Sequence, residues 1–270
     1  MAEPLLRITV LGSGTSSGVP TIGCKCAVCA STDPRDNRLR PSVLLRYEGR
    51  NVLIDATPDF RAQILRTGID RIDAILLTHS HADHILGLDD VRPLNFHQGG
   101  SIPVYGMEKT FEVVRRIFQY AFDPRPSKSS APRVDLRTID ATPFELFGRQ
   151  IIPIELPHGD SPVLGYRIGN AAYLTDHNDI PDAAKAQLQN LDVLFLDALR
   201  HRPHPTHSTV ERSVAWANEL AARRTFFTHM SHDLGHAQTE AQLPANIRLA
   251  YDGLEIEVAD ESGTSDLGVI

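Results

Sequence analysis

Cysteine is scarce in this chain and unevenly placed, with only three among 270 residues, all between positions 24 and 29. An odd number in so short a span argues against a disulfide framework, and clustered thiols without a secretion signal point to a reducing cytoplasm. The first residues, Met1-Ala2-Glu3-Pro4, have neither the basic start nor the apolar core of a signal peptide. Also missing is any apolar run near the roughly 20 residues of a membrane span, so no membrane partner is expected. Lysine and arginine form no long run and the formal net charge is −7. That argues against tight nonspecific binding to nucleic acid by counterion release, while leaving room for a local basic rim. No linker divides the chain. Its 41 % hydrophobic content can build one large core, so a single domain is expected over 1–270, with a polar tail from about 259.

Histidine, by contrast, is concentrated. Thr78-His79-Ser80-His81-Ala82-Asp83-His84 follows residues 73–77, which read as a buried strand, and precedes Ile85-Leu86-Gly87-Leu88, which reads as the start of a helix. On extended backbone His79 and His81 point the same way and can chelate one divalent ion, while Asp83 and His84 begin the next turn and can serve a second. Imidazole and carboxylate suit zinc, manganese or iron. A set of unligated imidazoles beside an apolar strand would be costly, which weighs against a merely polar loop. Short apolar or β-branched runs at 51–55, 151–155, 171–174 and 224–227 also read as strands. At or just beyond their exits stand Asp55, His158, Asp176 and His229. Cys24, Cys26 and Cys29 need a fourth ligand to close a tetrahedral structural zinc site, and His232, three residues beyond His229, is the best candidate. The competing reading is a redox-sensitive or surface cysteine cluster.

Other segments say less. Gly12-Ser13-Gly14 after a strand at 8–11 invites a dinucleotide-binding reading, but position 17 is Ser17, and Pro20 and the cysteines follow instead of a helix. A structural turn that brings backbone near the metal ligands fits better. Residues 42–47 and 51–55 form a hairpin through Glu48-Gly49-Arg50. A helix over 110–122 places Phe111, Val114, Phe118 and Ala121 on one stripe, suited to the core or to a homodimer contact. Residues 123–133 read as a solvated loop, with a flap over the site as the alternative.

The H-x-H-x-D-H pattern of His79, His81, Asp83 and His84 resembles the metallo-β-lactamase superfamily. The resemblance implies an α/β fold, the αββα four-layer sandwich, with a two-metal site at one edge. It also implies that His79, His81 and His158 hold one ion, that Asp83, His84 and His229 hold the other, and that Asp176 bridges them. Asp55 would fix the tautomer of a ligand histidine from behind. Leu11-Gly12-Ser13-Gly14-Thr15-Ser16-Ser17-Gly18-Val19-Pro20, C-x-C-x-x-C, H-x-H-x-D-H and Thr228-His229-Met230-Ser231-His232 together look like the phosphoribosyl 1,2-cyclic phosphate phosphodiesterase family of phosphonate breakdown. The similarity runs from Ile8 to about Val258.

That family implies two-metal hydrolysis of a small phosphorylated substrate, in which ions roughly 3.5–4 Å apart, zinc or manganese, ionise a shared water. It places His207, ahead of the helix marked by Ser208-Thr209-Val210-Glu211, as the acid for the departing oxygen, with His204 in reserve. The positive end of that helix disfavours a charged imidazole, a tension that a bound phosphate would relieve. His201 reads as loop dressing. Arg200 and Arg92 could hold a terminal phosphate, although surface arginines are usually solvated. A transfer-RNA 3′ processing nuclease and a β-lactamase or thioesterase-like acyl hydrolase would share the ligands. A metal-binding carrier like the pyrroloquinoline quinone biosynthesis relative is the non-enzymatic alternative.

Overall fold

Alternate residues of the early strands face two different apolar layers. Leu6, Ile8 and Val10 on β1 (Leu6–Gly12), Val43 and Leu45 on β2 (Ser42–Tyr47), and Val52 and Ile54 on β3 (Arg50–Ile54) enter one cluster, whereas Leu44 and Leu53 enter another. Strands buried on both faces carry little polar alternation, which is why period two is faint in their sequences. The computed structural model describes residues 6–123 and 130–258. The flap reading at 123–133 falls largely, and the polar tail from 259 entirely, outside the described residues.

The remaining strands are β4 (Ala74–Leu76), β5 (Ile102–Gly106), β6 (Val134–Thr138), β7 (Phe144–Leu146), β8 (Arg149–His158), β9 (Ser161–Ile168), β10 (Ala171–Tyr173), β11 (Val193–Asp197), β12 (Arg224–Thr228), β13 (Ile247–Leu249) and β14 (Glu255–Val258). They build two seven-stranded sheets, ordered β14-β1-β2-β3-β4-β5-β6 and β13-β12-β11-β10-β9-β8-β7. In the first, β14 through β3 pair antiparallel and β3 through β6 parallel. In the second, β7 through β10 pair antiparallel and β10 through β13 parallel. The sheets thus repeat one pairing scheme, and β14 returns from the far end of the chain to take the place in the first sheet that β7 holds in the second.

A cluster that includes Leu45, Tyr166 and Phe195 fills the space between the sheets. Phe60 and Ile64 of α1 (Phe60–Thr67), Leu94 of α3 (Arg92–Gln98), and Phe111 and Val114 of α4 (Glu108–Ile117) cover the outer face of the first sheet. Ala184 of α5 (Asp182–Ala186) and Trp216 and Leu220 of α6 (Val210–Leu220) cover the second. The order helix, sheet, sheet, helix is the αββα sandwich. Among the described residues no helix is long and apolar enough to cross a membrane.

Two helices differ from expectation. The one expected over 110–122 runs only to Ile117 and gives way to a 3₁₀ turn at Gln119–Ala121; Phe111, Val114 and Phe118 are buried in the core, so this stripe is not a dimer face. The helix expected from Ile85 starts earlier, as α2 (Ala82–Ile85), and continues as a 3₁₀ helix over Leu86–Val91. Within that segment Gly87 approaches the Asp55–Thr57 turn closely. Its N–H bonds Ala56 O at 2.9 Å, the Ala56 N–H bonds His84 O at 2.9 Å, and a Cβ on Gly87 would lie 2.1 Å from Thr57 O. Gly87→Ala is therefore expected to lower unfolding free energy by about 1–3 kcal/mol in a urea titration. Wild-type stability in that variant would show that the two loops have slack.

Candidate metal centre

In both sheets the parallel strands end at one edge, and the polar residues follow those ends or that of β8, which runs in the same direction as β10. His79 lies just beyond β4, His81 caps α2, Asp83 and His84 occupy its first turn, and His158 ends β8. Asp176 lies beyond β10 and His229 beyond β12. His79, His81, His158 and Asp176 bring their ligand atoms within 4.8 Å of one another, as do Asp83, His84, Asp176 and His229. Asp176 belongs to both groups. All seven residues are buried except His81. Asp55, Asp176 and His229 have φ of 63°, 55° and 59°. Left-handed backbone disfavours a residue with a Cβ by roughly 1–2 kcal/mol, so the surrounding structure holds these strand exits in their turns.

Hydrogen bonds behind the ligands set their tautomers. His84 Nδ1 donates to Asp55 Oδ2 at 2.7 Å, while the N–H and hydroxyl of Thr78 donate to the same carboxylate, each at 2.8 Å. Since the Thr78 hydroxyl gives its proton to Asp55, it accepts from His79 Nδ1 at 3.0 Å. His158 Nδ1 donates to Thr206 O at 2.8 Å. Each bond leaves an Nε2 lone pair for the interior of the cluster. The Nε2 atoms of His79, His84 and His229 are buried without a hydrogen-bond partner among the described residues. His84 Nε2 lies 3.2 Å from Asp83 Oδ2 and 3.3 Å from Asp176 Oδ1 but lacks the alignment of a hydrogen bond. This convergence of lone pairs fits a cation.

The electrostatics agree. Burial holds His79 well below the ordinary imidazole value, in the neutral form that can ligate. Burial also opposes a charge on His229, yet Asp176, Asp83 and Asp197 raise its titration to about 9. Burial would raise the Asp83 carboxyl, but His84 and His229 beside it hold it far below the usual carboxylate range. The carboxylates thus draw positive charge into the cluster, and a divalent cation meets the same demand.

A second cluster lies one turn of chain away. His232 Nδ1 is 3.2 Å from the Cys24 sulfur and 3.5 Å from those of Cys26 and Cys29. Tetrahedral bonds of about 2.3 Å to sulfur and 2.0 Å to nitrogen give nearly this separation, so the residues fit zinc. The N–H groups of Thr21, Cys26 and Cys29 point at the sulfurs of Cys29, Cys24 and Cys26 at 3.4, 3.5 and 3.4 Å. The Cys29 N–H, the largest influence on Cys26, helps bring that thiol down to about 6.

The chain matches the model of the beta-lactamase superfamily domain over residues 50–230. It belongs to the metallo-β-lactamase superfamily. A crystal structure of a diphosphatase from the PhnP family is 55 % identical, covers 94 % of this chain and 98 % of its own, and superposes with a TM-score of 0.88. Coenzyme PQQ synthesis protein B of Xanthomonas euvesicatoria pv. vesicatoria is 30 % identical over 93 % of this chain and 99 % of its own length. An octanoyltransferase of Porphyromonas gingivalis is 38 % identical over 96 % of this chain, but the chain spans only 52 % of that protein. The chain thus shares the metallo-β-lactamase fold and superfamily with that diphosphatase.

Beside the two groups, His207 donates from Nδ1 to Asp197 Oδ2 at 2.7 Å, stacks on His229 with ring centroids 4.6 Å apart, and meets His158 edge-on at 4.9 Å. Asp197 escaped the sequence reading, although it ends an apolar run just as Asp55 does. The carbonyl of Thr206 also escaped, having no side-chain signal. His204 sits 5.0 Å from the His207 ring and has Nδ1 engaged by Thr206 Oγ1 at 3.2 Å, while His201 pairs with Glu211 at 2.6 Å. Of the two arginines, Arg200 donates to the carbonyls of Arg202 and Pro203, and Arg92 to the carbonyl and carboxylate of Asp89. The helix start is also shifted. Thr209, not Ser208, caps α6, and the Ser208 hydroxyl donates to His177 O at 2.7 Å.

The glycine turn serves backbone approach, since Gly14 bridges Met230 beside His229 and a Cβ there would fall 2.8 Å from Arg38 Cβ. The cysteine cluster yields a test. Cys26→Ser should lose one equivalent of zinc per chain and melt at a lower temperature, because structural zinc is tied to folding. Unchanged zinc content and melting temperature would mean that the cluster holds no such ion.

Proposed function

We propose that this chain hydrolyses a P–O bond of a small phosphorylated substrate, with a cyclic phosphodiester such as phosphoribosyl 1,2-cyclic phosphate as its substrate class. His79, His81 and His158 would hold one divalent ion and Asp83, His84 and His229 the other, with Asp176 shared between them. Zinc or manganese bound there supplies activation of water and offsets charge on the phosphoryl oxygens. The observation that carries the reading is His207, set by Asp197 at 2.7 Å and stacked against the ligand His229.

Opening a cyclic phosphodiester releases an alkoxide, which needs a proton. The carboxylate at Nδ1 keeps that nitrogen protonated and turns Nε2 of His207 outward as the donor. Water's oxygen joins phosphorus, the bond to the sugar oxygen breaks, and that oxygen leaves as a hydroxyl. Asp55 and the Thr206 carbonyl hold His84 and His158 in the tautomer that leaves Nε2 available.

A second reading is cleavage of a diphosphate linkage, supported by the 55 % identical diphosphatase. Phosphate leaves more readily than alkoxide, so there the acid would matter less. The carrier reading draws on the PQQ synthesis relative, and acyl chemistry on the name of the octanoyltransferase relative.

Purified protein should be assayed against cyclic ribose phosphates, bis-p-nitrophenyl phosphate, cyclic nucleotides, nucleoside diphosphates, a transfer-RNA precursor and an octanoyl thioester. The cyclic ribose phosphate is expected to have the highest kcat/KM. A preference for the diphosphate moves the assignment to the second reading, and turnover of the thioester alone ends the phosphoryl reading. Asp176→Ala should abolish hydrolysis in a folded protein. His207→Ala should cost roughly a hundredfold to ten-thousandfold with an alkoxide leaving group but little with p-nitrophenolate. An equal loss with both would make His207 a substrate-positioning residue.

A further inference from the structure

Asp197 ends β11 fully buried, with Oδ2 turned toward two histidines at once. It accepts from His207 Nδ1 at 2.7 Å and lies 4.0 Å from His229 Nδ1. The two rings stack at 4.6 Å with an interplanar angle of 11°, so both present Nδ1 to the same carboxylate. Two polar atoms there have no hydrogen-bond partner among the described residues: Asp197 Oδ1 and His229 Nδ1.

A histidine that gives Nε2 to a cation carries its proton on Nδ1, and a buried N–H without an acceptor is costly. His84 meets this need with Asp55, His158 with the Thr206 carbonyl and His79 with the Thr78 hydroxyl. His229 is the buried ligand left without an acceptor, and the carboxylate beside it has a spare oxygen. An approach of about 1 Å would bring the pair to hydrogen-bond distance.

We propose that Asp197 is a positioning residue shared by His207 and His229, so that one carboxylate orients both the proton donor and a ligand of the second ion. This rests on the metal reading above. It makes affinity for the second ion depend on Asp197 through His229, independently of His207. The first ion, held by residues that do not touch Asp197, should be indifferent to it.

The test is binding of zinc to the full chain in competition with a chelator, with the second site identified as the one that His229→Ala removes. Asp197→Asn should weaken that site about tenfold and Asp197→Ala up to a hundredfold, with the first site unchanged. His207→Ala should leave both sites at wild-type affinity. Second-site binding at wild-type strength in both Asp197 variants would overturn the proposal while leaving the metal reading intact. If the wild-type protein takes up fewer than two ions outside the cysteine cluster, the metal reading falls and the role of Asp197 with it.

Should the variants fail to fold, nitrogen-15 histidine spectra of the cadmium-loaded wild type decide instead. A His229 Nδ1 proton shifted downfield by a carboxylate acceptor supports the shared role. A His229 ring with no such proton overturns it.

Discussion

Convergent, desolvated ring nitrogens constrain everything around them at the edge of this sandwich. His79, His84 and His229 each bury Nε2 among carboxylates without a hydrogen-bond partner among the described residues. Burying a polar atom unpaired destabilises by about 1–3 kcal/mol in proteins, and the left-handed turns at Asp55, Asp176 and His229 add to that. Coordination of cations is the interaction able to offset both. It also explains the supporting bonds from Asp55, Thr78 and Thr206, which make sense only if the outward nitrogen of each ring must remain a lone pair.

The fold makes this arrangement from two copies of one sheet. Each ligand group draws on both: His79, His81, Asp83 and His84 follow a strand of the first sheet, and His158, Asp176 and His229 follow strands of the second. An ion held at this edge would therefore tie the sheets together where no strand pairs across them. The loop after β12 serves two clusters, with His229 facing one and His232 the other. Buried Arg38 clamps this loop through the carbonyls of Ser231 and Leu234 at 3.0 and 2.6 Å and is paired with Asp36 at 3.1 Å.

What could be read from the sequence was chemistry at strand ends. The H-x-H-x-D-H run, the three cysteines and the lone ligand-type residues after short apolar runs are local patterns, and the structure gathers them into three clusters whose ligand atoms converge. Asp197 has no motif of its own beside the histidines that follow it, although its strand-terminal position matches that of Asp55. Thr206 acts through a carbonyl, which every residue has. Arg200 and Arg92 each bond carbonyl or carboxylate groups within three residues, local partners that a one-dimensional reading cannot weigh. The helix boundaries slipped where a 3₁₀ turn replaced α-helix.

Anomalous diffraction from crystals of the full chain grown with zinc tests the central claim most directly. Three peaks at the zinc edge are expected: one among His79, His81, His158 and Asp176, one among Asp83, His84, Asp176 and His229, and one among Cys24, Cys26, Cys29 and His232. A map with no peak at either histidine–aspartate group, with the side chains still converging, would contradict the account.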